Sequence, residues 1–446
     1  MRRFKYRKND RVKRHFSENL NKTFSVNLVI YVAIALLALI LMETVGLWFV
    51  SHQLKISPDR FEAAKLIYHF SALTFVFTIF TTPFMAIIIA HEDMQIYAYV
   101  SIVEAALKLG MVFLLMYLPG DKLEIYGMLM LFVAVINAVV YIGICIRKYK
   151  ECQFRRFYWD KGLVHEIIGF TGWTLFGQIS GVARNQAVTI LLNQVFNPVV
   201  VAARAIATNI TSRINMFSSN FNVGLYPPII KSYAADDKAR MFSLIFNGAK
   251  ITFFLMWIFA LPLFLEMDAI LKVWLKNAPA GAVLFTRLAL VEVLINAVSL
   301  PIATAARAPG KMRTYELTLG CMQISIFFID WLVLTMGSAA YSVFIVAIVV
   351  NLIMFIFRLL LVRRLIGLPL RSFFRQVMFP VFLIILASGV PSVIAHLYLP
   401  PGLVFIGISV LLSMIFSFVS MYYIGLDERW RHKIKSMIVN KLAILR

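Results

Sequence analysis

The stretch Val199–Ile230, VVVAARAIATNITSRINMFSSNFNVGLYPPII, is long enough to cross a bilayer, yet polar side chains occur along its whole length. On a helix with 100° per residue, six of them fall within an arc of about 80°. These six are Arg204, Thr208, Thr211, Asn215, Ser218 and Asn222. Because lipid offers such groups no hydrogen-bond partner, the stripe predicts one wall of a polar cavity inside a helical membrane protein.

Two further features of this stretch bear on its surroundings. A narrow second stripe of Asn209, Arg213 and Asn220 lies opposite the first, which places the helix between two polar environments. Pro227-Pro228 lacks two backbone donors, so we expect it to end or kink the helix near its cytoplasmic side.

The composition agrees with a membrane protein. Of 446 residues, 61% are hydrophobic and 15% are charged, whereas soluble domains carry about 25% charged residues. The net charge of +22 lies mainly in short loops between apolar stretches, as the positive-inside rule requires. This distribution argues against a nucleic-acid-binding protein.

Apolar stretches of spanning length recur along the entire chain and predict an all-α polytopic protein with about twelve transmembrane helices. Loop charges place both termini in the cytoplasm, with basic segments at 1–22 and 427–446. The expected spans are 26–50, 66–90, 98–118, 123–146, 164–192, 199–230, 241–265, 282–306, 315–336, 339–362, 376–397 and 402–425.

The span at 164–192 also has a polar side. Thr174, Gln178 and Asn185 follow one another at three- and four-residue multiples along this helix. We therefore expect them to line the same cavity as the first stripe on 199–230.

Cationic side chains inside spans indicate what the cavity binds. A charge at membrane depth costs at least about 2.5–3.5 kcal/mol, so it usually faces a polar cavity or a partner. Lys108 has Glu104 one turn before it, and Arg287 is close enough to the surface to snorkel or to pair with Glu292. The others are expected to form a cationic cavity for an anion: Arg184, Arg204, Arg213 and Lys250. Three acids near span ends are expected at the interface: Glu43, Glu316 and Asp330.

The sequence contains no recognisable catalytic site. A phosphate-binding lysine loop, a zinc-protease helix and a nucleophile elbow are all absent, and the external loops are short. The histidines and the cysteines have no metal-ligand spacing. We therefore expect a transporter with no catalytic residues, metal or cofactor rather than an enzyme.

Two segments resemble a known family. The first carries WDK at 159–161, FTGWTLFG at 170–177 and GVARNQ at 181–186, and resembles the seventh span of bacterial polysaccharide flippases. The second carries NP at 197–198, AARAIA at 202–207 and PPIIKSY at 227–233, and resembles their eighth span. These flippases form the O-antigen flippase (Wzx-like) branch of the multidrug/oligosaccharidyl-lipid/polysaccharide (MOP) exporter superfamily, which also contains the MATE transporters.

The resemblance implies a MATE-like bundle of two lobes around a cavity. Aligning the two motifs makes the first span of this chain similar to the third span of the family. We therefore expect an N-terminal lobe at 23–150 with four spans, two fewer than in the family. A C-terminal lobe of six spans at 160–365 and a terminal helix pair at 370–426 are expected to follow.

The resemblance also implies a function. The substrate would be an oligosaccharide linked through diphosphate to a polyprenyl lipid, moved by alternating access across the bacterial cytoplasmic (inner) membrane for surface polysaccharide or lipopolysaccharide biosynthesis. The four cavity cations would hold the diphosphate, and the polar stripes would bind sugar hydroxyls. Expected partners are membrane lipids and this anionic substrate, with other polysaccharide-assembly membrane proteins as further candidates and no nucleic acid.

Three alternatives stay open at this stage. One is a MATE-type drug/cation antiporter, although that chemistry needs a buried carboxylate where these spans offer Arg and Lys. Another is a lipid II flippase with the same fold and a similarly cationic cavity. A third is a truncated, inactive member of the family.

The topology can be tested with reporter fusions. Fusions at Arg155 and Arg371 are expected to report a cytoplasmic position, and those at Pro58 and Pro400 an external one, because Lys and Arg concentrate in cytoplasmic loops. One clear reversal among the four would contradict the predicted topology.

Overall fold

In a computed structural model of the protein, the backbone is described for residues 2–52, 61–152, 161–275, 277–400 and 402–425. Side chains are described within these ranges from residue 20 to 51 and from residue 61 onward. Several features of the sequence lie outside the described residues, and their predictions stay untested: the side chains of 1–19, Pro58, Arg155, the WDK motif up to Asp160, and the tail at 427–446.

The described chain is helical and falls into two compact units, Met1–Ile168 and Gly169–Arg446. The first contains α1 (Arg2–Leu41), α2 (Leu47–His52), α3 (Phe61–Ala90), α4 (Met94–Tyr117) and α5 (Lys122–Lys148). The unit boundary falls within α6 (Lys161–Val195). The second unit continues with α7 (Pro198–Ala234), α8 (Lys238–Leu275), α9 (Ala282–Ala306), α10 (Arg313–Thr335), α11 (Ser342–Ile366), α12 (Leu370–Phe373), α13 (Phe379–Tyr398) and α14 (Leu403–Ser420).

These segments confirm the predicted fold class. π-Helical turns join α1 to α2 and α12 to α13, so the described residues form twelve continuous helices. Ten of the described helices are long and apolar enough to cross a membrane. The other two, α6 and α7, have 35 and 37 residues but carry the polar stripes that lower their hydropathy.

The two ends of α7 differ in how closely they follow local sequence rules. Asn197 caps the helix by accepting a hydrogen bond from the backbone N–H of Val200 at 3.1 Å, and Pro198 occupies the first turn. Pro227-Pro228 does not end the helix, which continues to Ala234. Packing of the segment after the prolines offsets the loss of two backbone donors, since the next residue, Ile229, is fully buried in the unit core.

A π-helical turn in the N-terminal unit packs closely against Tyr68 on α3. Between α1 and α2, in the turn Met42–Gly46, the carbonyl of Met42 accepts the backbone N–H of Leu47, and the Tyr68 hydroxyl on α3 donates a second hydrogen bond to it at 2.5 Å. Gly46 allows this approach, because a Cβ there would collide with the same hydroxyl. Glu43, which is predicted to lie at the interface, pairs with His69 on α3 at 2.9 Å.

The turn between α3 and α4 is fixed by Asp93. Its carboxylate accepts a hydrogen bond from the Tyr149 hydroxyl and pairs with Lys148 Nζ at 3.0 Å. These two partners, Tyr149 first, lower the pKa of Asp93. The turn is thereby tied to the end of α5.

Helices α6 and α10 approach each other through glycines on both sides. The carboxylate of Glu316 on α10 occupies the space where Gly177 lacks a side chain, and the ring of Phe176 does the same at Gly320. A Cβ at Gly320 would lie 2.7 Å from Phe176 Cε1. Glu316, in the first turn of α10, is therefore buried between helices, and its place at the membrane interface stays a prediction.

The close approach predicts unequal effects of two glycine substitutions. Gly320→Leu is expected to lower the free energy of unfolding by about 1–3 kcal/mol, because the ring of Phe176 fills the space. Gly181→Leu is the matched control, since no atom lies within 4 Å of a Cβ built there. Thermal unfolding of the purified variants measures both, and equal melting temperatures would contradict this packing.

Candidate ligand cavity in the C-terminal unit

A cavity of about 500 Å³ lies within the C-terminal unit, between α6, α7, α9, α10 and α11. Thirteen of its 22 lining residues are polar, and α9 and α11 contribute most of an apolar side. The polar lining residues are Arg184, Asn185, Gln186, Thr189, Arg204, Thr208, Asn209, Thr211, Ser212, Asn215, Glu292, Asn296 and Asp330. A volume of this size fits a drug-sized ligand or the head group of a lipid.

Arg184 on α6 is held by an acid from a distant part of the sequence. Its Nη1 donates to Glu292 Oε1 on α9 at 3.0 Å, and its Nη2 donates to Asn185 Oδ1 at 2.9 Å. The side chains are only 13% and 15% exposed, so solvent screens the ion pair weakly. Asn351 on α11 donates to the same Glu292 oxygen at 3.1 Å. The pair therefore links α6, α9 and α11.

Arg204 on α7 differs because its described hydrogen-bond partners are neutral. Its Nη1 donates to the Asn185 carbonyl at 3.2 Å and to Thr189 Oγ1 at 2.5 Å, both on α6. The residue is 8% exposed. Arg184, Glu292 and Asp330 are near enough to act on it electrostatically, but no described ion pair includes Arg204. Its positive charge is thus oriented toward the cavity without a contacting carboxylate.

Asp330 on α10 is the most isolated polar group of the wall. It is 1% exposed, and neither carboxylate oxygen has a hydrogen-bond partner among the described residues. Asp330 is thus buried inside the unit, five residues before the end of α10, and its place at the membrane interface stays a prediction. A buried carboxylate without a partner is costly in its ionised form, so such a group can take up a proton or a cation. The cavity contains two arginines and two acids, and its net charge depends on the state of Asp330.

The structure brings together half of the residues that the sequence had suggested. Arg184, Asn185, Arg204, Thr208, Thr211 and Asn215 all line the cavity. At the other end of α7, Ser218 instead donates to the backbone of Thr252 at 2.8 Å, and Asn222 donates to Thr304 at 3.0 Å. The polar stripe of α7 therefore divides into a cavity part and a helix-packing part.

The remaining candidates lie elsewhere in the unit. Thr174 and Gln178 are on α6, but neither lines the cavity. Arg213 is exposed on a different face of α7, and Lys250 is 5% exposed on α8, away from the cavity wall. Arg287 does not form the ion pair with Glu292 that the sequence offered as one alternative. It pairs with Asp268 at 2.9 Å, and Glu292 pairs with Arg184.

Glu292, Asn296 and Asp330 were not recognised as cavity residues from the sequence. Glu292 and Asn296 lie four residues apart on one face of α9, whereas Asp330 is the one polar residue that α10 contributes to the cavity lining. The signal available was their depth, since a lone ionisable residue inside a membrane span is a candidate for function by itself.

Comparison with known proteins supplies the name of the fold. A solved structure, the outward-facing conformation of a multidrug resistance MATE family transporter of the MOP superfamily, superposes with a TM-score of 0.64 at 12% sequence identity. The match covers 79% of this chain and 83% of that chain. The fold is MATE-like. No protein-family model matches the sequence, and no curated protein is significantly similar to it.

The cavity predicts a pattern of cysteine reactivity. In a Cys321→Ser background, Asn215→Cys and Asn296→Cys are expected to react with a small charged thiol reagent, because both positions line the cavity. Ile190→Cys is the control, since this α6 residue is 58% exposed but does not line the cavity and is expected to face lipid. Labelling rates in membranes measure the difference, and equal rates at all three positions would contradict a water-accessible cavity.

Proposed function

We propose that the protein is a flippase that translocates a polyprenyl-diphosphate-linked oligosaccharide across the cytoplasmic membrane for surface polysaccharide biosynthesis. The MATE-like fold and the ten spanning helices support membrane transport rather than catalysis. Arg204 is the observation that carries the choice of substrate, because its buried charge is directed at a polar cavity and contacts only neutral groups. A buried cation of this kind supports an anionic ligand.

The diphosphate is the part of the substrate that would contact the arginines. A guanidinium presents donors in a planar fork that matches phosphate oxygens, and charge-assisted bonds of this type are about twice as strong as neutral ones. Arg204 contacts only neutral oxygens, so its full charge is available to the ligand. Arg184 would share its charge between the ligand and Glu292. We therefore assign the larger contribution to Arg204.

The neutral polar groups of the wall suit the sugar next to the diphosphate. Thr208, Thr211, Asn215 and Asn296 are neutral lining residues with hydroxyl or amide groups that can bind sugar hydroxyls. The polyprenyl tail needs no protein site if it stays in the bilayer. Alternating access of the cavity to the two sides of the membrane would complete translocation, and both termini are proposed to lie in the cytoplasm.

A drug/cation antiporter is the second candidate, and Asp330 favours it. That chemistry requires a buried carboxylate, and Asp330 is buried with both oxygens unpartnered. The arginines argue against an organic cation as cargo, because Arg204 lies in the same wall. A lipid II flippase would use the same phosphate contacts, so only the lipid supplied in an assay separates it from our first candidate.

Replacement of the arginines tests the proposed function. In a strain lacking its own flippase, Arg204→Gln is expected to reduce export of surface polysaccharide at least about tenfold, since a charge-assisted contact contributes about 1.5–3 kcal/mol. Arg204→Lys is expected to impair export too, because a point charge cannot reproduce the planar fork. Arg213→Gln is the matched control, since it removes one exposed charge from the same helix without altering the cavity.

The same assay separates the candidates when the membrane abundance of each variant is equal. Wild-type export by Arg204→Gln and Arg184→Gln would eliminate the cationic site. Drug resistance conferred by the protein and abolished by Asp330→Asn would establish the antiporter instead. No export by the wild-type chain with any lipid-linked saccharide would support an inactive member of the family.

A further inference from the structure

A second cavity lies wholly within the N-terminal unit, and nothing described so far assigns it a role. Its volume is about 260 Å³, just below the range of drug-sized sites. We call it the threonine cavity. Its lining residues are Thr74, Thr78, Thr81, Thr82, Met85, Tyr97, Ser101, Glu104, Lys108, Met130, Val133, Ala134, Asn137 and Tyr141.

Three helices form the threonine cavity, each with one face. On α4 the lining residues Tyr97, Ser101, Glu104 and Lys108 follow one another at steps of four, three and four. The lining residues of α3 and α5 also recur every three or four residues, with the adjacent pairs Thr81-Thr82 and Val133-Ala134 side by side on the same face. Such spacing on three helices builds a polar interior that a bundle facing only lipid would not tolerate.

The charges of the threonine cavity cancel within the wall. Lys108 Nζ donates to Glu104 Oε1 at 2.6 Å, and Asn137 Nδ2 on α5 donates to the other oxygen of Glu104 at 3.1 Å. Lys108 and Glu104 are the only charged residues among those that line the threonine cavity. The threonine cavity therefore offers no net charge to a ligand. In the C-terminal cavity, by contrast, Arg204 has no carboxylate in contact with it.

The threonine hydroxyls have their protons engaged. Thr74, Thr78, Thr81 and Thr82 each donate to the backbone carbonyl four residues earlier, at 2.8, 2.9, 2.7 and 3.0 Å. Each oxygen keeps lone pairs that can accept a bond from a ligand. A row of acceptors with no net charge matches a ligand that carries several O–H donors and no charge.

We propose that the threonine cavity binds one uncharged sugar ring of the saccharide. The sugar would donate hydroxyl protons to Thr78 and Thr82 and receive a bond from the amide of Asn137. The identity of the saccharide rests on the proposed function, but the binding itself does not depend on the arginines of the C-terminal unit.

Protection of a cysteine in the cavity tests this assignment. Full-length protein with Cys321→Ser and Ser101→Cys, in lipid nanodiscs, is labelled with maleimide; Cys145 and Cys152 are buried. Glucose, galactose or N-acetylglucosamine is expected to slow labelling severalfold. Glucuronate, which is charged, and glycine betaine, which has no hydroxyl, are expected to have little effect.

Removal of single hydroxyls supplies the specific readout. Thr78→Val or Thr82→Val keeps the side-chain shape, and each is expected to raise the half-protective sugar concentration roughly two- to tenfold. Thr335→Val is the matched control, because Thr335 donates to the Leu332 carbonyl on α10 and lines neither cavity.

The outcomes decide between a sugar site and a gap filled with water. Ser101→Cys that never reacts, or labelling that no neutral sugar slows, would refute the proposal, and so would equal protection by glucuronate. Protection by a polyprenyl-diphosphate-linked saccharide but not by polyprenyl diphosphate alone would extend it to the lipid-linked substrate; equal protection by both lipids would refute it. Normal export by Arg204→Gln would overturn the proposed function, yet leave protection by free sugars unchanged.

Discussion

The cost of burying a guanidinium inside a membrane protein governs the C-terminal unit. Arg184 and Arg204 are almost fully buried, and neither would be stable there without fixed partners. Glu292 supplies the countercharge for Arg184, and Asn185 and Thr189 supply oxygens for Arg204. Because these partners come from α6 and α9, the two charges fix the positions of the helices that form the cavity. Removal of Glu292 would leave Arg184 uncompensated, so fold and site depend on the same contacts.

Neighbouring charges then decide what the cavity can bind. Arg184 is neutralised by contact, Arg204 is not, and Asp330 has no partner within the described residues. An anion would gain most from Arg204, whereas a proton or a cation would gain most from Asp330. The two candidate functions therefore differ in which of these two residues the ligand contacts. In the N-terminal unit, Glu104 and Lys108 neutralise each other, so the proposed sugar would be bound by hydrogen bonds to the threonine hydroxyls.

The helices could be predicted from the sequence because apolar length and loop charge are local properties. Residues 282–306 were predicted as a span and form α9 with the same bounds. Part of the polar stripe of α7 lines the cavity, but periodicity cannot distinguish Thr211, which lines it, from Ser218, which donates a hydrogen bond to α8. Glu292 could not be assigned to Arg184 because 108 residues separate them in the sequence. The threonines of α3 were missed because threonine is only weakly polar beside Phe and Ile.

The proposed contact between the cations of the C-terminal cavity and the diphosphate of a lipid carrier can be captured covalently. Photocrosslinking tests it most directly, with a polyprenyl diphosphate that bears a photoreactive group beside the diphosphate. After irradiation of the full-length protein in nanodiscs, mass spectrometry locates the adducts. Adducts are expected on cavity residues of α6 and α7 close to Arg204, such as Thr189 and Thr208, and unlabelled polyprenyl diphosphate is expected to compete with their formation. Adducts confined to exposed apolar positions such as Ile190 and Phe217 would contradict it.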